Sequence, residues 1–289
     1  MRSFLFVPAD SPRKLEKSLD SGADAIIIDL EDAIAVDQKK AARANAAAFI
    51  KSLPESSSRP PLFIRVNGLE SGLTDADLDA VLPARPYGVV LPKGEGGASI
   101  IHLDAKLTAR EAMHGIDDGT TRIFAFAIES ASAMFLAGTY AGASARLLGL
   151  TWGSEDLSYE FGGVASRDAN GQFFEPYKLA RTLCLVAAAS AKVLAIDTVY
   201  ADFRNPEGLR REAQEAAHQG FAGKMAIHPA QIAILNEVFA PPPEKIAWAR
   251  AVAEAFAAAP DKGAVQVNGV MYDRPHLLHA EQLLKQVKA

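Results

Sequence analysis

Cysteine is nearly absent. The 289 residues contain one, Cys184, so no intrachain disulfide can form and the chain reads as one suited to a reducing compartment. Cys184 lies in the apolar stretch 183–189, where an inert core thiol is the expectation. Runs of five or more basic residues are also missing, and 30 Lys and Arg against 35 Asp and Glu leave a formal charge of −5, so nucleic acid is not an expected partner. Nowhere do 18 consecutive apolar residues occur, which removes a membrane-spanning helix from the expectations. The start MRSFLFVPAD carries one Arg and a short apolar run without a small-residue cleavage site, so no secretory leader is expected and the cytoplasm is the expected location. Internal repeats are lacking as well, and no Gly-x-Gly-x-x-Gly follows a strand pattern to cradle a dinucleotide.

What is present is ordinary globular material, 49% hydrophobic and 22% charged. A chain of this length buries roughly three quarters of its unfolded surface, so it needs no metal or disulfide to hold a core, and any metal it binds is expected to be functional. Apolar runs of strand length recur at 3–7, 25–29, 62–66, 88–91, 122–128, 147–152, 195–200 and 224–227. Continuous rather than alternating apolar character suits strands buried on both faces. Helix-length amphipathic segments lie between them, such as 12–21, 39–51, 98–113, 175–191 and 206–219, and Ser11-Pro12 and Asn205-Pro206 supply start signals. Eight strands alternating with helices predict an α/β fold, a (β/α)8 barrel over residues 1–240. Pro241, Pro242 and Pro243 then mark a break. Residues 241–289, with helices at 244–258 and 276–287 and a short strand at 264–267, form a helical extension too short for a core of its own. It is expected to pack on the barrel or on a neighbouring subunit.

In such a barrel, side chains at the carboxyl ends of the strands point into the mouth, where the sites of this fold lie. Those ends are strongly polar: Asp29, Glu31 and Asp32 after the second strand, Arg65 and Asn67 after the third, Lys93 after the fourth, Glu129 after the fifth, Gly153, Ser154, Glu155 and Asp156 after the sixth, and His228 after the eighth. Core packing does not explain such a ring, because buried unpaired charge is costly. Glu129 and Asp156 follow adjacent strands, and two carboxylates that close need a proton, a metal or a cationic partner. With oxygen ligands and no His or Cys cluster, Mg2+ fits best; helix capping or a salt bridge is the plainer alternative for each. Arg65 offers a planar fork for a carboxylate or a developing oxyanion, or a salt bridge to Glu31 or Asp32. Asp29, Glu31 and Asp32 read as groups that orient Arg65 or metal-bound water. Lys93 would hold an anionic substrate group or stand solvated, and His228 reads as a structural hydrogen-bonder.

The segments LFVPADSPRKLEKSLDSGADAIIIDLEDAI, FIRVNG, VVLPKGEG, FAIES, WGSEDLSYEFGG, GFAGKMAIHPAQI and VNGVMYDRPHL, in this order along the whole chain, resemble the citrate lyase β-subunit-like group of the HpcH/HpaI aldolase superfamily. The resemblance implies a (β/α)8 CoA-ester lyase with Glu129 and Asp156 on Mg2+ and Arg65 on the substrate. It also implies that Asp273 reaches a neighbouring subunit's site for proton transfer. Val270 stands where many relatives carry lysine and Trp152 where many carry a smaller residue, so either is expected to reshape the acyl or CoA pocket.

The reaction so implied is cleavage or formation of a 3-hydroxyacyl-CoA, such as citryl-, malyl- or citramalyl-CoA, from acetyl-CoA and a 2-oxo acid. Backbone amides at Gly153 and Ser154 would bind the oxo acid's carboxylate, and a homo-oligomer, a trimer or hexamer, is expected. Two alternatives stay open: a pyruvate aldolase working without CoA, and a non-autonomous β subunit of a citrate lyase complex.

Overall fold

The computed structural model describes residues 1–54 and 59–288. Its first compact unit is Met1–Phe239 and its second Ala240–Ala289. In the first unit eight parallel strands close into a barrel: β1 Ser3–Pro8, β2 Ala25–Asp29, β3 Leu62–Arg65, β4 Gly88–Leu91, β5 Arg122–Ile128, β6 Leu147–Trp152, β7 Leu194–Asp197 and β8 Gly223–Ala226. Closure is made by β8 on β1, with Ser3 opposite Lys224. The helices of this unit are α1 Pro12–Ser18, α2 Lys39–Ser52, α3 Thr74–Val81, α4 Gly97–Met113, α5 Ala131–Leu136, α6 Ser154–Phe161, α7 Glu175–Ala191, α8 Pro206–Gln219 and α9 Ile232–Val238. The predicted (β/α)8 barrel is therefore the fold.

Strand alternation sorts the apolar residues into two layers. Phe4, Ala25, Ile27, Phe63, Val90, Phe124, Phe126, Ile196 and Met225 fill the barrel, while Leu5, Ile26, Ile28, Ile64, Val89 and Leu150 belong to the larger layer shared with the helices. Cys184 lies fully buried in that outer layer, and burial pushes its thiol up, away from reactivity. Asn205 caps α8 by accepting from the Gly208 amide at 2.8 Å, whereas Ser11 occupies the cap position of α1 without a side-chain bond. Strands seven and eight end earlier than their apolar runs. Gln231, almost wholly buried, accepts from the Ile227 and His228 amides and donates to the Tyr200 carbonyl at 2.8 Å, standing in for the missing ladder.

The second unit contains α10 Pro243–Ala257, the antiparallel pair β9 Ala264–Val267 and β10 Val270–Asp273, and α11 Arg274–Lys288. It has a small apolar cluster of Ala249, Val252, Phe256, Val265 and Ala280, which corrects the expectation that the segment has no core of its own. The overlooked strand β10 is announced by Asn268-Gly269, both with positive φ (51° and 81°), the pairing that a tight hairpin turn requires. No helix among the described residues is long and apolar enough to cross a membrane.

Candidate active site

The mouth is built around Arg65, the last residue of β3. Asp29 ends β2 directly opposite it, and its carboxylate accepts from Arg65 Nε and Nη2, each at 2.7 Å. Glu31 Oε2 lies 2.8 Å from Arg65 Nη1 as an ion pair. The guanidinium is seated 4.9 Å above the Phe6 ring. Burial works against its charge, but the bonds to Asp29 and the charges of Asp29 and Glu31 outweigh that and hold it more firmly protonated than a free arginine. Of the salt bridges expected for Arg65, the one to Glu31 forms and the one to Asp32 does not. Asp32 instead lies 3.4 Å from Lys93.

Lys93 is neither free nor simply solvated. Its ammonium donates to Glu31 Oε1 at 2.6 Å, with the side chain 47% exposed. Its backbone has a positive φ of 53°, unusual for a residue with a Cβ, and its amide donates to Glu129 Oε2 at 2.5 Å. Lys39 is an unforeseen member of the site: buried, it donates at 2.7–2.8 Å to the Leu30 and Glu31 carbonyls and to Asn67 Oδ1, clamping the ends of β2 and β3 together. Only its place at the start of the predicted helix 39–51 was visible in the sequence.

Glu129 follows β5 and is buried with no cation among its hydrogen-bond or ion-pair partners in the described residues. Burial pushes its carboxyl up to about 8, the neighbouring charges of Asp156 and Glu31 adding to the effect. Asp156 stands in the first turn of α6, one helical turn beyond the end of β6. It too is raised, by burial and by Asp32 and Glu155, against the opposing charge of Lys93. The salt-bridge alternative is thus absent for both carboxylates among the described residues. Gly153 supplies the clearance, since a Cβ there would come within 2.7 Å of Glu129 Oε1. The Gly153 amide is not available to a substrate, because it donates to the Ile128 carbonyl at 2.9 Å; this corrects its expected role, while the Ser154 amide stands at the open N-terminus of α6. No cluster of three or more His, Cys, Asp or Glu able to hold a metal occurs among the described residues. Two hard oxygen ligands with water completing the shell is nonetheless a donor set that suits Mg2+, and the ionised form of Glu129, which burial disfavours, is what a divalent cation would stabilise. Beside these groups lies a recess of about 330 Å3 lined by Glu31, Asp32, Asn67, Gly68, Leu69 and Lys93, among others.

Other expectations fare differently. Trp152 is fully buried and points its indole at Asp197 on β7, so it belongs to the layer under the helices and does not shape a ligand pocket. His228 is structural, its Nδ1 accepting from the Ala230 amide and its ring stacked 4.7 Å from Phe203. In the second unit Asp273 ends β10 with its carboxylate exposed and hydrogen-bonded to His276 Nδ1 at 2.5 Å, and Val270 is half exposed.

Residues 2–229 match the family model HpcH/HpaI aldolase/citrate lyase. The chain belongs to this family. Among its HpcH/HpaI relatives, the citrate lyase subunit beta of Leuconostoc mesenteroides subsp. cremoris is 34% identical over 290 residues, spanning 100% of this chain and 93% of the relative. The mitochondrial citramalyl-CoA lyase of Rattus norvegicus is 31% identical over 293 residues, spanning 98% and 85%. A structure of CitE from Mycobacterium tuberculosis in complex with magnesium, acetoacetate and coenzyme A superposes with a TM-score of 0.75 at 33% identity, covering 100% of this chain and 98% of that one.

Proposed function

We propose that this HpcH/HpaI protein is a Mg2+-dependent carbon–carbon lyase that cleaves or forms a 3-hydroxyacyl-CoA ester from acetyl-CoA and a 2-oxo acid. The observation that carries the reading is Glu129, a buried carboxylate without a cationic partner among the described residues, beside the pinned guanidinium of Arg65 and with Asp156 following the next strand. The family supports it, as do the magnesium, acetoacetate and coenzyme A named with the related CitE structure.

When bound, Mg2+ would act as a Lewis acid toward the hydroxyl and carboxylate oxygens of the substrate's oxo-acid half. Glu129 and Asp156 would hold it. Arg65, whose fork is fixed by Asp29 and Glu31, stabilises the negative charge that passes between oxygens as the carbon–carbon bond breaks. Its orientation costs nothing at the moment of reaction, because the carboxylates beneath it are already in place. Lys93 screens Glu31 and Asp32 at the rim, and the Ser154 amide offers a donor to the substrate carboxylate. Asp273 of a second copy in a trimer or hexamer would carry the proton to and from the acetyl-CoA methyl carbon. Its exposure and its bond to His276 suit a group that works on another surface. A lone buried cysteine agrees with a cytoplasmic setting.

The test is a panel of citryl-, malyl- and citramalyl-CoA with Mg2+, following acetyl-CoA and the 2-oxo acid. Release of both from one ester by the purified chain is the expected result. Free CoA with intact hydroxy acid would instead indicate thioester hydrolysis, exchange of pyruvate without CoA an aldolase, and activity only on an acyl-carrier thioester a subunit of a lyase complex. Asp273→Asn should lower kcat far more than it raises KM; the reverse pattern would make Asp273 a binding residue.

A further inference from the structure

We infer that Trp152 and Asp197 act as a positioning device for the two acidic groups of the mouth, an inference that rests on the reading of Glu129 and Asp156 as metal carboxylates. Trp152 is the last residue of β6, and its Nε1–H donates to Asp197 Oδ1 at 2.9 Å on the outer side of the barrel. The next residue, Gly153, lies against Glu129, so close that a Cβ would meet the carboxylate. Asp156 follows in the first turn of α6. The twist of one strand end therefore sets both the surface on which Glu129 rests and the direction from which Asp156 enters.

The anchor is itself immobilised. Asp197 Oδ1 also accepts from Arg181 Nε at 3.1 Å, and Oδ2 accepts from Lys224 Nζ at 2.8 Å and Arg181 Nη2 at 3.1 Å. Lys224, fully buried, is shared with Glu212 Oε1 at 2.8 Å. Glu212 Oε2 in turn takes Arg167 Nη1 at 2.5 Å, from the segment that follows α6. The network thus ties β7, β8, α7 and α8 to the chain on both sides of α6. Buried ion pairs often contribute little net stability compared with apolar packing, whereas metal ligands must be held to within about 0.5 Å. What this network supplies to the mouth is geometry.

Asp197→Asn would take from Lys224 and Arg181 the acid they share, leaving them only Glu212 and Glu215, and risks unfolding the chain, so Trp152→Phe is the variant to use: it removes the indole donor, with a modest loss of ring volume, and leaves Asp197 neutralised. Mg2+ binding to the substrate-free protein is measured by titration calorimetry, alongside the melting temperature, for the wild type, Trp152→Phe, Glu129→Gln and Leu103→Ala, the last a fully buried site on α4 chosen as a control for general destabilisation. Trp152→Phe is expected to bind Mg2+ about tenfold more weakly, with Leu103→Ala at wild-type affinity and Glu129→Gln without binding. Wild-type affinity in Trp152→Phe, or an equal loss in Leu103→Ala, overturns the positioning role while leaving the carboxylates assigned. Undiminished binding in Glu129→Gln, or none in the wild type, overturns the carboxylate assignment and the inference with it.

Discussion

Two acid–base pairs face each other across neighbouring strands of this barrel, Asp29 with Arg65 on β2 and β3, and Asp197 with Lys224 on β7 and β8. They are alike in local chemistry and opposite in consequence. Around Asp197 the charges balance: Asp197, Glu212 and Glu215 meet Lys224, Arg181 and Arg167. In the mouth, Asp29, Glu31 and Asp32 take up Arg65 and Lys93, Glu129 and Asp156 have no ion pair among the described residues, and the ammonium of Lys39 is taken up by two carbonyls and an amide. The carboxyls respond accordingly. Burial alone would raise both, but the charges of Lys224 and Arg181 hold Asp197 below the usual carboxylate range, while Glu129, equally enclosed, is pushed up to about 8. Burial does not decide whether a carboxylate is ionised; the count of cations within reach does. A surplus of carboxyls over cations in one enclosed place and not the other marks where a divalent cation would be held.

Breaking the balanced side should cost the most stability. Lys224→Met leaves Asp197 and Glu212 buried without their shared cation and is expected to destabilise the protein by about 3–5 kcal/mol, read as a lower denaturant midpoint. A variant as stable as the wild type would dissolve the contrast. On the unbalanced side the same kind of truncation should spare the fold and remove function. Glu129→Ala or Asp156→Ala is expected to lower Mg2+-dependent turnover by about a hundredfold or more with circular dichroism unchanged, and retained turnover in either would end the metal assignment.

The pH responses should have opposite signs. A raised carboxyl in the folded state weakens the metal-free protein as pH climbs past its ordinary value of 4.5, the penalty growing until about 8. Added Mg2+ should therefore raise Tm more at pH 8 than at pH 5, by a difference on the order of 1–3 kcal/mol in stability. Asp197, with its lowered value, contributes stability that is present above its ordinary 3.8 and lost as pH falls below it. An Mg2+ effect independent of pH would contradict the role given to Glu129. The smallest effect belongs to a pair in neither region. Arg210 and Glu237 form an ion pair at 2.8 Å on the surface, where water screens the attraction, so Arg210→Ala should leave Tm unchanged within error.

Much of this was legible in the chain. Apolar runs such as Ala25–Asp29 and Arg122–Ile128 coincide with β2 and β5 because strands covered on both faces must be apolar throughout. The polar residues at their ends stand at the mouth because the barrel leaves them nowhere else to go. Illegible were the contacts between distant positions. Lys39 reaches Asn67, Trp152 reaches Asp197, and Lys93 turns its amide, through a left-handed backbone, onto Glu129. Gly153 looked like an amide donor and is a clearance instead. Each depends on where the neighbouring strand ends, a matter of register rather than composition.

By itself, then, the order of apolar and polar residues determined the barrel and the roster of charged groups around its opening, since periodicity and burial are local properties of a chain. Which of those charges find a partner was decided only when the strands closed. Electrostatic energy depends on separation and enclosure, and neither exists until residues far apart in sequence are brought side by side.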